Sequence, residues 1–369
     1  MKKLLITTDT FLPRWDGIAR FITNLVPSLQ DTYQITILCP AFKGNAPNIE
    51  GVKIVRFPTV PLRFGDITFA SWNYKRVKQL VRQHDIVFNQ SLGPLGMSAI
   101  TAAKKLKKPV VSFVHSLEWE LTSKSVKHFK SFAWGVMKLM ARWFYNKCSL
   151  LLVPSQELAD ILALNGIETK KQVVELGVDV ARFIPPISRS EAKRAIGVSR
   201  EVNVITYVGR IAREKNLETL YHAFQKIKKE VKNTILLIVG AGLSDEIRPS
   251  SRVLMVGQQD NPVPYYQASD IYVLPSLTET TSLATLEAMA CGCAVVVTPV
   301  GSIREYIEDG VNGIIFPRRD VQTLADTLMF LLTHPKTREA LGQEARKTVE
   351  QKRSWQNTTI AIKQALGSV

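Results

Sequence analysis

Short apolar, β-branched runs alternate with amphipathic stretches along most of the chain. In the first half the runs fall at residues 4–7, 34–38, 85–88, 109–114 and 150–153, and a helical pattern covers residues 17–29. Strand-length runs interleaved with helical ones predict a parallel sheet with helices on both faces, because parallel neighbours need a crossover between them. The pattern restarts after Pro185 and Pro186. Strands are expected over residues 203–208, 234–239, 253–256, 270–274 and 294–298, with a helix over 217–229. Two such halves joined at a Pro-Pro linker predict an α/β protein of two Rossmann-like domains facing a central cleft. Their expected bounds are 1–184 and 187–352. A helix over 337–351 and an amphipathic stretch over 356–366 close the chain.

The 369 residues are too many for one ordinary core and enough for two. Four cysteines, two of them one residue apart at Cys291 and Cys293, form neither a disulfide framework nor a spaced zinc site, so a reduced cytoplasmic setting is expected. The N-terminal MKKLLITTDT reads as a first buried strand rather than a signal peptide, since its apolar run ends at Thr7 without a small-residue cleavage site. No apolar run approaches the roughly 20 residues that span a bilayer, which argues against an integral membrane protein. Charge changes the picture more. The chain has 48 Lys and Arg against 32 Asp and Glu, a formal net charge of +16. Ten of those cations (Lys104, Lys105, Lys107, Lys108, Lys124, Lys127, Lys130, Lys138, Arg142, Lys147) lie between Thr101 and Cys148 with only Glu118 and Glu120 against them, a local net of +8. Such an excess calls for an acidic partner: nucleic acid, an anionic membrane surface or a nucleotide-bearing substrate.

The chemistry concentrates in LPSLTETTSLATLEAMACGCAVVVTPVGSIRE, residues 274–305. An apolar strand ends there, a polar loop carries Glu279, and a helix carries Glu287 in its first turns. In an open α/β sheet ligands bind outside the carboxyl ends of the strands, where a helix N-terminus offers unpaired N–H groups to anions. One carboxylate can accept vicinal sugar hydroxyls and the second a ribose hydroxyl. Equally, Glu279 can be a cap and Glu287 a helix-surface acid. Upstream, Gly209-Arg210 and Glu214-Lys215-Asn216 follow another strand end. Arg210 by a planar fork and Lys215 by a point charge can neutralise a diphosphate, or the loop can simply be solvated.

The segment from Leu274 to Pro317 resembles the donor-site text of the retaining glycosyltransferases of family 4, which have the GT-B architecture. The family's Glu, seven residues, Glu spacing falls on Glu279 and Glu287, and its Gly-Arg, gap, Glu-Lys text falls on Arg210 and Lys215. One departure is that Thr280, Thr281 and Ser282 stand where family members have glycines around an aromatic residue. Hydroxyls there keep the backbone N–H groups, which with Leu283 would line the donor site, but narrow the space above them. The resemblance implies a hexose transferred from a nucleoside diphosphate sugar, UDP favoured over GDP, with retention by front-face attack and the leaving phosphate helping to deprotonate the acceptor. It also implies that the last helix, 354–369, crosses back to the first domain.

In the first domain His115 ends the strand 109–114, where it can be a core histidine or can point to the crevice and donate a hydrogen bond to a sugar hydroxyl or orient the acceptor. Its position matches a His that the resemblance implies there. Gly17, in Asp16-Gly17, either lets the backbone approach a donor or acceptor closely or follows an N-cap at Asp16. No Asp-x-Asp clamp occurs, so no metal or other cofactor is expected and Arg210, Lys215 and helix-end N–H groups would meet the phosphate charge. A helix expected over 124–146 sets Lys124, Lys127, Lys138 and Arg142 beside Trp134 and Trp143. Basic residues beside exposed aromatics describe an in-plane membrane helix; the same stripe can also be core. The expected partners are therefore a nucleotide sugar, an acceptor lipid such as diacylglycerol or a lipid-linked glycan, and an anionic membrane surface. The rivals are a nucleotide-sugar epimerase of the same fold and a non-catalytic basic binding protein. Nucleic acid is not expected as a partner, because the basic cluster lacks a recognisable module.

Overall fold

A computed structural model describes residues 1–14, 16–44, 48–64, 67–120, 130–242 and 247–369. The chain divides into two units, Met1–Val174 with Thr359–Val369, and Glu175–Thr358. Pro185 and Pro186 lie inside the second unit.

The strands of the first unit are, in chain order, β1 (Lys2–Thr7), β2 (Tyr33–Pro40), β3 (Lys53–Phe57), β4 (Thr59–Phe64), β5 (Ile67–Ala70), β6 (Ile86–Asn89), β7 (Val110–Phe113), β8 (Leu150–Val153) and β9 (Lys171–Val173). Seven of them form one parallel sheet in the order β3-β2-β1-β6-β7-β8-β9, while β4 and β5 pair as an antiparallel ribbon. β6, β7 and β8 are buried at every position. That is the mark of strands covered on both faces. The chain builds outward from β1 to β3 and then resumes on the other side of β1, so the order reverses between β1 and β6. Loops leaving the carboxyl ends of such neighbours turn in opposite directions and open a crevice.

The second unit repeats the plan with β10 (Asn203–Val208), β11 (Thr234–Val239), β12 (Val253–Met255), β13 (Ile271–Leu274), β14 (Ala294–Val297) and β15 (Ile314–Ile315). All are parallel, in the order β12-β11-β10-β13-β14-β15. Here the reversal falls between β10 and β13. The helix Trp355–Gly367 closes the chain; its residues from Thr359 on belong to the first unit, where Lys363 Nζ pairs with Asp31 Oδ2 at 2.9 Å.

Several elements escape a reading of periodicity. β9 is the polar triplet Lys-Gln-Val and β15 is two residues long, too short to show a period. The helix expected over 124–146 runs from Lys130 to Tyr145; residues 121–129 lie outside the described ones.

Candidate active site

The two loops that leave the switch point of the second sheet carry the expected donor ligands. β10 ends at Val208 and leads through Gly209 into a turn of 3-10 helix, Arg213–Lys215. β13 ends at Leu274 and leads to Glu279. Lys215 Nζ lies 2.5 Å from Glu279 Oε1, and Ser276 Oγ donates to the same oxygen at 2.8 Å. Both partners are largely shielded from solvent, so this is a held pair rather than a surface contact. The loops are tied by backbone as well. Leu277 N donates to Glu214 O at 2.8 Å and Asn216 Nδ2 to Pro275 O at 3.1 Å. Asn216 holds a left-handed turn (φ 51°), a conformation Asn tolerates better than most residues. Arg210 pairs with Glu214 but is 62 % exposed, leaving its guanidinium at the rim.

Past Glu279, the hydroxyls that replace the family's glycines are partly spoken for. Thr281 Oγ1 and Ser302 Oγ are 3.0 Å apart, and Ser302 N donates to Thr280 O at 3.0 Å. The loop pair fits so closely that a Cβ on Gly301 (φ +53°) would sit 2.4 Å from Glu279 O. Ser282 caps the helix Leu283–Ala290, its Oγ accepting from Thr285 N at 3.2 Å. Leu283, expected among the donor ligands, is half-buried and packs part of its side chain against the core. Glu287 corrects the surface-acid reading. Its carboxylate is buried, with Tyr266 Oη donating to Oε2 at 2.8 Å. We expect Tyr266→Phe to lower stability by about 1–3 kcal/mol, since a buried carboxylate loses a donor. The urea midpoint should fall with the slope unchanged; an unmoved midpoint would mean that Glu287 does not depend on Tyr266.

In the first unit, Asp16 Oδ1 accepts from Ala19 N at 3.0 Å and caps the helix Gly17–Leu29, while a Cβ on Gly17 would meet nothing within 4 Å. The cap reading therefore holds, and the space above Gly17 is open. His115 lies half-buried just past β7, stacked on Phe113 at 4.6 Å and edge-on to Phe21 at 4.9 Å, with Nε2 3.0 Å from Gln90 Oε1. Burial pushes its pKa down to about 3, so the ring is neutral at physiological pH. Nearby, Tyr145 donates to Glu118, whose carboxyl burial pushes up to about 7. Gln90, Tyr266 and Asp9 escaped sequence reasoning. Asp9 accepts from Leu95 N at 3.0 Å and Gly96 N at 3.2 Å at the start of the helix Pro94–Lys105. Only its place after β1 hinted at this, because the partners are 86 and 87 residues away.

Among the described residues no three His, Cys, Asp or Glu side chains converge as a metal site. Two family descriptions match the chain: Glycosyltransferase Family 4 over residues 15–182 and Glycosyl transferases group 1 over residues 188–348. The protein is a group 1 glycosyltransferase. It is 25 % identical over 328 residues to the alpha-monoglucosyldiacylglycerol synthase of Streptococcus pneumoniae, covering 84 % of this chain and 74 % of that one. It is also 25 % identical to the GDP-mannose-dependent alpha-(1-6)-phosphatidylinositol monomannoside mannosyltransferase of Mycolicibacterium smegmatis, covering 93 % and 92 %. Its fold superposes on that of Anabaena HepE in complex with UDP-glucose with a TM-score of 0.81 over the whole of both chains, at 18 % identity. The GT-B architecture of two Rossmann-like domains follows.

The glycosyltransferase also carries an unusual helix face. On Lys130–Tyr145, Phe132 (73 % exposed), Val136 (40 %), Leu139 (67 %) and Trp143 (55 %) follow one another at helical spacing on the solvent side. Cations flank this ridge: Arg142 is exposed, Lys147 lies over the Trp143 ring, and the charges of Lys104 and Lys105 are felt at Lys147. Trp134 corrects the sequence expectation. It packs on the core of the first unit and donates to Glu120 at 3.3 Å, with Lys138 4.5 Å above its ring, so it does not belong to the exposed face. Lys124 and Lys127 lie outside the described residues. No described helix is long and apolar enough to cross a membrane.

Proposed function

We propose that this glycosyltransferase moves a hexose from a UDP-sugar to a hydroxyl of a membrane lipid of the diacylglycerol class, with retention at the anomeric carbon and without a metal ion. One observation carries the reading: Lys215 and Glu279 meet at the switch point of a Rossmann-type sheet, a cation for phosphate beside a carboxylate for hydroxyls. The Lys215 ammonium, with Arg210 at the rim, opposes the charge that grows on the departing diphosphate. Glu279, fixed by Lys215 and Ser276, accepts from vicinal hydroxyls of the sugar. Retention then proceeds on the face the diphosphate leaves, the leaving phosphate taking the acceptor proton. Glu287, held by Tyr266 through Oε2, has acceptor sites beyond that bond for a ribose hydroxyl.

The named relatives support a lipid acceptor, and the UDP-glucose complex of the structural neighbour supports the donor. The ridge Phe132, Val136, Leu139 and Trp143, rimmed by Arg142, Lys147, Lys104 and Lys105, fits an anionic bilayer at the cytoplasmic face. Apolar side chains enter the acyl boundary while the cations face lipid phosphates. The test is direct. Incubated with labelled UDP-glucose, diacylglycerol in anionic vesicles and excess EDTA, the protein should yield an α-linked glycolipid. A rate abolished by EDTA and restored by a divalent ion would overturn the metal-free step. Epimerised donor in place of transferred sugar would overturn the transferase reading.

A further inference from the structure

Gln90 and His115 follow the carboxyl ends of the neighbouring strands β6 and β7. The Gln90 carboxamide turns its Oε1 to His115 Nε2 at 3.0 Å, and because an amide oxygen only accepts, that orientation pairs with a ring hydrogen on Nε2. A neutral imidazole has one N–H, and its Nδ1 is then a lone pair. Among the described residues, Phe21 from the helix Gly17–Leu29, Phe113 from β7 and Gln90 pack on the ring, and none of them carries a charge. The acid nearest in sequence, Glu118, is engaged by Tyr145. Burial alone lowers the ring's pKa.

The rest of Gln90 argues against a mere packing role. Its side chain is buried, yet among the described residues its Nε2 has no hydrogen-bond partner. The preceding Asn89 spends both ends of its amide, accepting from Thr7 Oγ1 and donating to Ser112 Oγ, each at 2.9 Å. An unpaired buried amide is costly, and an apolar side chain would fill the space without that cost.

We propose that Gln90 is a positioning residue that holds His115 in the Nε2–H tautomer, so that Nδ1 accepts a hydrogen bond from a ligand hydroxyl. This rests on the reading of His115 as facing sugar or acceptor, and it narrows that role: the ring takes a hydroxyl's hydrogen and does not donate its own. A neutral hydroxyl is the group the subsite takes, since an anion would meet a lone pair.

The tautomer can be read without any assay, from two-dimensional nitrogen–proton spectra of the imidazole between pH 5.5 and 8. The expected pattern is protonated Nε2 that does not titrate; protonated Nδ1, or a ring that titrates in this range, overturns the proposal. Because this measurement needs neither substrate nor variant, failure of the glycosyltransferase assay leaves it informative. Gln90→Glu should raise the His115 pKa by about one to three, as a carboxylate favours imidazolium. Transfer by that variant should then fall as pH is lowered through the new pKa, because imidazolium has no lone pair to offer, and recover above it. Gln90→Met should mix the tautomers and lower kcat by about two- to tenfold with the donor KM little changed. A pH profile for Gln90→Glu that matches the parent, or full turnover with mixed tautomers in Gln90→Met, would reduce Gln90 to packing.

Discussion

Lys215→Ala is expected to lower turnover by about 10²–10³, the loss seen when one fixed donor to a developing negative charge is removed. The reason is differential: the ammonium already binds Glu279 in the free enzyme, so its added value appears as the diphosphate departs and its charge grows. The fold should barely notice. Lys215 reaches the site from a loop, and Glu279 keeps its hydrogen bond from Ser276. A pair still touched by solvent contributes about 1 kcal/mol or less to stability. Turnover and melting temperature measured on the same preparation separate the two effects. Arg210→Ala should cost less, about tenfold, because its guanidinium is more exposed and already committed to Glu214. A folded Lys215→Ala protein turning over within about threefold of the parent would remove Lys215 from the site.

The second large effect concerns the ridge on the helix Lys130–Tyr145. Leu139→Glu combined with Trp143→Glu should abolish co-sedimentation with anionic vesicles at every salt concentration. Two side chains now largely in water would otherwise enter the acyl boundary, at about 1.5–3 kcal/mol for each one fully buried. Arg142→Glu with Lys147→Glu should act differently, weakening binding to anionic vesicles and flattening its salt dependence, at about 1 kcal/mol per basic residue near the surface. Because neither pair lies in the second unit, nucleotide binding should persist in both variants. If parent and Leu139→Glu/Trp143→Glu proteins sediment equally, this face does not meet the bilayer and the acceptor is better sought among soluble sugars.

Much of this was legible before any coordinates. Strands such as 150–153, 203–208, 234–239 and 271–274 stand out because strands covered on both faces read as near-continuous apolar runs, and that requirement is written locally. The text around Arg210, Lys215, Glu279 and Glu287 pointed to a sugar nucleotide through its resemblance to the family's donor-site text, since the residue types alone allowed a cap, a surface acid and a solvated loop. The net charge called for an acidic partner of some kind. What the linear order left open was which groups meet. Lys215 and Glu279 are 64 residues apart, and they pair because β10 and β13 are neighbours only once the sheet reverses its order. Trp134 and Trp143 lie on one amphipathic helix and differ in exposure because the core packs against one side of it. Tyr266 under Glu287 and Gln90 beside His115 left no trace in periodicity, since each belongs to a different element from its partner. Residue type and local period determined the elements, and the resemblance suggested the kind of ligand. Sheet topology and packing decided the contacts, because hydrogen bonds and ion pairs act over a few ångströms of space whatever their separation along the chain.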